Sequence, residues 1–168
     1  MKNRMSEMGF ILMATIAVWI LAGSLSVAFA QTPEAGAPDV LSPLVAKIMM
    51  GLGLSLGLAG SALGLSISFQ ALLGGSPDTF FKNIAVAVLP STQGIYAIVV
   101  FFTNIDSFET MPATVAGRAA IAGLAMFFSP WYQGMVCAAG IRSVLEGRNT
   151  LANALIAGAM PETYAVFA

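Results

Sequence analysis

The sequence predicts an all-α membrane protein built from two fused transmembrane helical hairpins that follow an N-terminal signal peptide. The 168-residue chain is 58% hydrophobic and only 9% charged, whereas soluble domains usually carry about 25% charged residues. Several apolar runs are long enough to cross a bilayer as helices, which takes about 20 residues each. None of them alternates with a period of two, and this argues against a transmembrane β-barrel.

The N-terminal residues 1–30 have the layout of a secretory signal peptide. A basic start precedes an apolar stretch at residues 10–22 and an Ala-Phe-Ala motif that ends at Ala30. We predict cleavage after Ala30, which leaves a short external tail over residues 31–43. The alternative is an uncleaved first helix, because the apolar run approaches the length that spans a bilayer.

Four further apolar segments follow and pair into hairpins. Short loops join the first segment to the second and the third to the fourth, while a longer acidic loop connects the two halves. We therefore assign residues 44–104 to the first hairpin and residues 105–168 to the second. The four segments are expected at about residues 44–73, 84–102, 113–143 and 151–168.

The two hairpins are related as a duplication. The stretch "LPSTQGIYA" at residues 89–97 aligns without a gap with "MPETYAVFA" at residues 160–168. The alignment matches Pro90 with Pro161 and places Ser91 where Glu162 stands. Both halves have the same orientation, which makes this a parallel repeat rather than the inverted repeat of many transporters.

Basic residues predict the orientation in the membrane. Lys82 lies in the first hairpin loop, and Arg142 and Arg148 flank the second, whereas the loop between the hairpins carries Asp106 and Glu109. By the positive-inside rule both hairpin loops are cytoplasmic and the mature N-terminus is outside.

Composition excludes several kinds of site and partner. The chain has no histidine and one cysteine, so a Cys/His metal site and an intrachain disulfide are excluded. Cys137 lies in an apolar stretch and is expected to be a small buried apolar residue. No run of like charge indicates a nucleic-acid partner.

A glycine stripe lies on one face of the first segment. Its spacing of 4, 3 and 4 residues lets another helix approach closely. That helix belongs either to the same chain or to further copies of the chain in an inner ring, and spacing alone does not decide between them. The four glycines are Gly53, Gly57, Gly60 and Gly64.

Glu162 is an acidic residue at membrane depth. It lies about 18 Å into the fourth segment, and a carboxylate there costs at least ~2.5–3.5 kcal/mol unless it is protonated or paired. No lysine or arginine lies at comparable depth. Glu162 therefore binds a proton or a cation, the alternative being a neutral carboxyl group that only joins helices.

Oxygen ligands for a cation are available near Glu162. Hard cations bind carboxylate, amide, hydroxyl and carbonyl oxygens. Pro90 and Pro161 each remove a backbone donor and can leave carbonyl groups free at this depth. The candidate side chains are Thr92, Gln93 and Tyr96 on the second segment and Gln133 on the third.

The motifs "LPSTQGIY", "FSPWYQGMVCAAGI" and "MPETYA" together resemble the proteolipid (K, or c) subunit of prokaryotic V/A-type rotary ATPases, over about residues 44–168. In that family two hairpins are fused and the last helix keeps the ion-binding Glu. The resemblance implies that Glu162 is this carboxylate and that Ser91 replaces its lost counterpart. It also implies further ion ligands, namely the Thr92, Gln93 and Gln133 side chains and the Leu89 carbonyl, with the Tyr96 hydroxyl locking Glu162.

The resemblance further implies a function. Copies of the subunit form a homo-oligomeric rotor ring in the lipid of the prokaryotic cell membrane, next to a stator subunit, with central-stalk subunits on the cytoplasmic loops. Ion flow is coupled to rotation and to ATP hydrolysis or synthesis, and the subunit itself catalyses no reaction. Both retained glutamines favour Na⁺, with H⁺ as the other ion. The alternatives are a small secondary ion-coupled transporter and a structural tetraspan protein.

The chain departs from the family pattern in three places. Pro130, Trp131 and Tyr132 precede Gln133 where small residues are usual, which predicts a different bend in the third helix. Pro161 is also not the residue expected before Glu162. The sequence ends six residues after Glu162, so we expect a fourth helix that is short on its outer side, or a truncated sequence.

Overall fold

A computed structural model describes residues 41–168. The predicted signal peptide and most of the predicted tail lie outside the described residues. Every regular element within the described part is a helix, which confirms the all-α prediction. Three stretches in this part are long and apolar enough to cross a membrane, namely Pro43–Leu73, Pro77–Thr103 and Pro112–Leu145.

Six α-helices follow one another along the described chain. Two short 3₁₀ turns accompany them, Leu89–Ser91 between the second and third helices and Ile105–Ser107 after the third. The α-helices are α1 Pro43–Leu73, α2 Pro77–Ala87, α3 Thr92–Thr103, α4 Pro112–Leu145, α5 Leu151–Ala159 and α6 Glu162–Val166.

The second predicted segment begins earlier than expected. Helix α2 starts at Pro77 rather than at about residue 84, with Ser76 extended before it and Asp78 in its first turn. Proline suits the first helical position, and an acidic side chain there complements the helix dipole. Lys82, which we assigned to the loop, therefore lies on α2, where it is exposed.

The glycine stripe packs α1 directly against α4 of the same chain. A Cβ atom built on Gly53 would lie 2.7 Å from the Ala119 carbonyl oxygen, and one built on Gly60 would lie 2.5 Å from the Phe127 carbonyl oxygen. Gly64 in turn meets the backbone of Pro130. The contacts advance together along both helices, so α1 and α4 run parallel, as two halves of equal orientation require.

Small side chains dominate the core. One cluster lies among α1, α2, α4 and α5 and includes the fully buried Cys137 and Ile141, which agrees with the expectation for the cysteine. A second cluster around Met50 and Val115 lies near the beginnings of α1 and α4. Between them, Ala97, Ala122, Met126 and Ala165 join α3, α4 and α6.

Large apolar side chains cover much of the outer surface. Phe81, Phe102 and Ile156 are 81%, 65% and 62% exposed. A soluble monomer rarely leaves so many large apolar groups in water. Such a surface favours contact with the hydrocarbon chains of lipids or with neighbouring helices.

Both proline-containing breaks lie at matching places in the two halves. The 3₁₀ turn at Pro90 separates α2 from α3, and Met160 with Pro161 separates α5 from α6. The fourth segment, predicted as one helix, therefore consists of two, because proline cannot donate the backbone hydrogen bond that would continue α5. Helix α4, in contrast, continues through Pro130.

Candidate ion-binding site

The two helix breaks face the middle of α4 and bring polar groups together in an apolar surrounding. Gln93 lies in the first turn of α3, directly after the first break, and Glu162 begins α6 directly after the second. Gln133 lies on the buried face of α4 between them. The breaks thus position side chains that a continuous helix would place differently.

A buried pair of glutamines forms the centre of the site. Gln93 Nε2 donates to Gln133 Oε1 at 2.7 Å, and both residues are fully buried. Gln133 Nε2 donates to the Gly158 carbonyl oxygen at 2.9 Å, one turn before Glu162. Because buried amides are costly unless they are hydrogen-bonded, these bonds fix α3, α4 and α5 in register.

Thr92 extends this network to the first break. Its Oγ1 lies 3.1 Å from the Leu89 carbonyl oxygen and 3.2 Å from Gln93 Oε1, and its single hydrogen can be donated to either oxygen. The three oxygens of Leu89, Thr92 and Gln93 therefore lie side by side. They form one edge of the candidate site.

Ser129 belongs to the same network, although the sequence alone did not lead us to it. Its Oγ donates to the Pro161 carbonyl oxygen at 2.7 Å and accepts from Gln93 Nε2 at 3.4 Å. The available signal is its spacing: Ser129 and Gln133 are four residues apart and share one face of the largely apolar middle of α4.

Glu162 is held by Tyr96. The Tyr96 hydroxyl donates to Glu162 Oε1 at 2.6 Å, at the short end of the range for O–H···O hydrogen bonds. Both residues are half-buried, and Ala165, 2% exposed, packs α6 beside Ala97 of α3. The only salt bridges in residues 41–168 are the exposed pairs Lys47–Glu109 and Glu146–Arg148, so no described basic residue pairs with Glu162.

The contacts form two groups rather than one. One network contains Leu89, Thr92, Gln93, Ser129 and Gln133. A separate pair consists of Tyr96 and Glu162. Across the described residues no hydrogen bond joins the Glu162 carboxylate to either glutamine. Ser91 lies outside both groups, since its Oγ donates to the Val88 carbonyl oxygen at 2.7 Å within its own turn.

The available donor atoms determine which cations fit. Within the described part of the chain no three His, Cys, Asp or Glu side chains cluster. The groups of the site are one carboxylate, two amides, three hydroxyls and backbone carbonyls. Such a set of neutral oxygens with a single negative charge suits a hard monovalent cation, and it lacks the nitrogen or sulfur ligands that zinc prefers.

Comparisons with known proteins cover most of the chain. Residues 116–168 match the family model that describes the C subunit of ATP synthase. The A-type ATP synthase subunit K of Methanocaldococcus jannaschii is 27% identical, over 76% of this chain and 60% of that protein. The V-type sodium ATPase subunit K of Enterococcus hirae is 31% identical, over 76% of this chain and 82% of that protein. No solved structure matches the chain significantly.

Proposed function

The chain belongs to the proteolipid (K, or c) subunit family of the V/A-type rotary ATPases, and on this premise we propose that it is a membrane rotor-ring subunit that carries Na⁺ on Glu162. Several copies form a ring in the prokaryotic cell membrane, beside a stator subunit and above central-stalk subunits that contact the cytoplasmic loops. The subunit makes and breaks no covalent bond. It couples ion flow to rotation, and so to ATP hydrolysis or synthesis elsewhere in the complex.

The observation that carries this proposal is the position of the Tyr96–Glu162 pair, beside a buried network of amide and hydroxyl groups at two helix breaks. A proton needs only the carboxylate, whereas a cation needs several oxygens. Thr92, Gln93, Gln133 and the Leu89 carbonyl supply such oxygens. Two buried glutamines beside the acidic residue therefore favour Na⁺, and the Enterococcus relative named as a sodium ATPase subunit supports the same choice.

Ion binding on Glu162 also solves the problem of its charge. A bare carboxylate in hydrocarbon costs at least ~2.5–3.5 kcal/mol. Na⁺ or a proton on Glu162 neutralises it, so the loaded site can rotate through lipid, and the site unloads only where the stator supplies a polar path. The Tyr96 hydroxyl keeps the carboxylate in place during this passage.

The duplication sets the number of ions per subunit. Ser91 occupies the position in the first hairpin that Glu162 occupies in the second, and it bonds within its own turn. We infer one site per two hairpins, hence fewer ions per turn of the ring. The α1–α4 pair, closed by the glycine stripe, is expected to line the inner surface of this ring.

Carbodiimide labelling of the assembled complex in membranes tests the proposal, because the reagent modifies a carboxyl group that no cation shields. We expect labelling at Glu162 and its suppression by Na⁺ at neutral pH, with Glu162→Gln as the unlabelled control. If labelling does not depend on the Na⁺ concentration but increases at low pH, the transported ion is H⁺. A Glu162→Gln complex that keeps its ion-coupled ATPase activity would refute the rotor function.

A further inference from the structure

The Ser129 hydroxyl on α4 lies between the glutamine pair and the break in the fourth segment. Building on the proposed function, we propose that Ser129 is a positioning residue which fixes the orientation of the Gln93 amide and thereby favours Na⁺ over a proton. Ser129 is not itself a ligand in this account. It acts through the side chain that it orients.

The direction of the Ser129 hydroxyl is set by the helix break. Its hydrogen is directed at the Pro161 carbonyl oxygen, 2.7 Å away, and a hydroxyl has only one hydrogen to donate. Toward Gln93, Ser129 can therefore act only as an acceptor. Because Ser129 is 7% exposed, solvent has little access to replace either partner.

The orientation of the Gln93 amide follows. An amide group has two N–H donors on its nitrogen and a separate acceptor oxygen. Gln93 Nε2 lies 2.7 Å from Gln133 Oε1 and 3.4 Å from Ser129 Oγ, so both acceptors lie on its nitrogen side. Gln93 Oε1 then faces the Thr92 hydroxyl, 3.2 Å away, on the edge where a cation requires oxygen atoms.

Removal of the Ser129 hydroxyl would leave one amide N–H of Gln93 buried without its acceptor. A buried donor without a partner costs free energy. The observed orientation of the Gln93 amide is then less strongly preferred over the flipped orientation, in which oxygen and nitrogen exchange places. That orientation presents N–H groups at the edge beside Thr92 and repels a cation there. A proton on Glu162 uses none of these oxygens, so only cation binding should weaken.

The test uses the assembled complex in membranes and measures the Na⁺ concentration that half-protects Glu162 from carbodiimide. In Ser129→Ala we expect this concentration to rise by about two- to tenfold, the range that one hydrogen bond supports. The labelling rate without Na⁺ should not change. Ser129→Thr keeps the hydroxyl and should keep the wild-type value.

Three controls separate positioning from a structural role. Ser55→Ala removes an exposed α1 hydroxyl that bonds only to the Gly51 carbonyl and should change nothing. Ser129→Cys keeps the volume with a weaker acceptor and should shift Na⁺ protection in the same direction as alanine. In a Gln93→Leu background, Ser129→Ala should add no further shift, because the amide that it orients is gone.

The outcomes distinguish the two proposals. If Na⁺ protects Glu162 in the wild type, and the half-protecting Na⁺ concentration is the same in Ser129→Ala, the role of Ser129 is overturned and the proposed function stands. Equal changes in labelling with and without Na⁺, or an additive effect in the Gln93→Leu background, would overturn it as well. A wild-type complex whose labelling is indifferent to Na⁺ would overturn Na⁺ as the ion and, with it, the function of Ser129.

Discussion

Tyr96→Phe tests the hydrogen bond that holds the Glu162 carboxylate. The substitution removes only the hydroxyl that donates to Glu162 Oε1 at 2.6 Å and leaves the ring in place, so packing beside Ala97 is preserved. Hydrogen bonds to charged groups contribute about 1.5–3 kcal/mol. Because both partners are half-buried, the lower end applies, and about 1.5 kcal/mol corresponds to roughly tenfold in an equilibrium.

The assay is the rate of carbodiimide labelling of Glu162 in membranes without Na⁺ at a fixed neutral pH. Tyr96→Phe should label about tenfold faster, because the carboxyl group loses the hydroxyl that holds it in place. Tyr164→Phe is the matched control, since Tyr164 is 69% exposed and should label at the wild-type rate. Equal rates for wild type and Tyr96→Phe would refute the assigned role of the hydroxyl.

Three further predictions concern packing and the site. Gly60→Ala should destabilise the detergent-solubilised protein by about 1–3 kcal/mol, because its Cβ would meet α4 backbone, whereas Gly51→Ala, with nothing within 4 Å, should not lower the thermal unfolding midpoint. Gln133→Leu should abolish Na⁺ protection against carbodiimide, since it removes the Gln133 amide oxygen from the proposed ligand set. Retained protection would contradict that ligand set. Ser91→Glu should add a second carboxylate that labels without Na⁺ protection, as quantified by mass spectrometry; a second protected site would contradict the assignment of one site per two hairpins.

The sequence predicted those features that depend on local pattern. The apolar runs predicted the helical segments, and the polar side chains within those runs directed attention to Gln93, Gln133 and Glu162. The start of α2 at Pro77 was missed because its first turn is polar and resembles a loop. The division of the fourth segment at Pro161 was missed because the apolar pattern runs through it unchanged.

Ser129 could not be identified for a different reason. A serine in an apolar helix commonly bonds to its own backbone, as Ser55 does. Its role depends on a carbonyl that becomes available only where α5 stops, on another segment of the chain. Such a partner is determined by tertiary contact, and spacing along α4 contains only half of the information.

The close contact between α1 and α4 has a mechanical consequence. Where backbone meets backbone, as at Gly53 and Gly123, there are few side-chain rotamers that can yield under load, and tightly packed interiors transmit strain. A rotor subunit built in this way is stiff in torsion. In a rotary machine that contains it, little elastic energy would therefore be stored between these two helices.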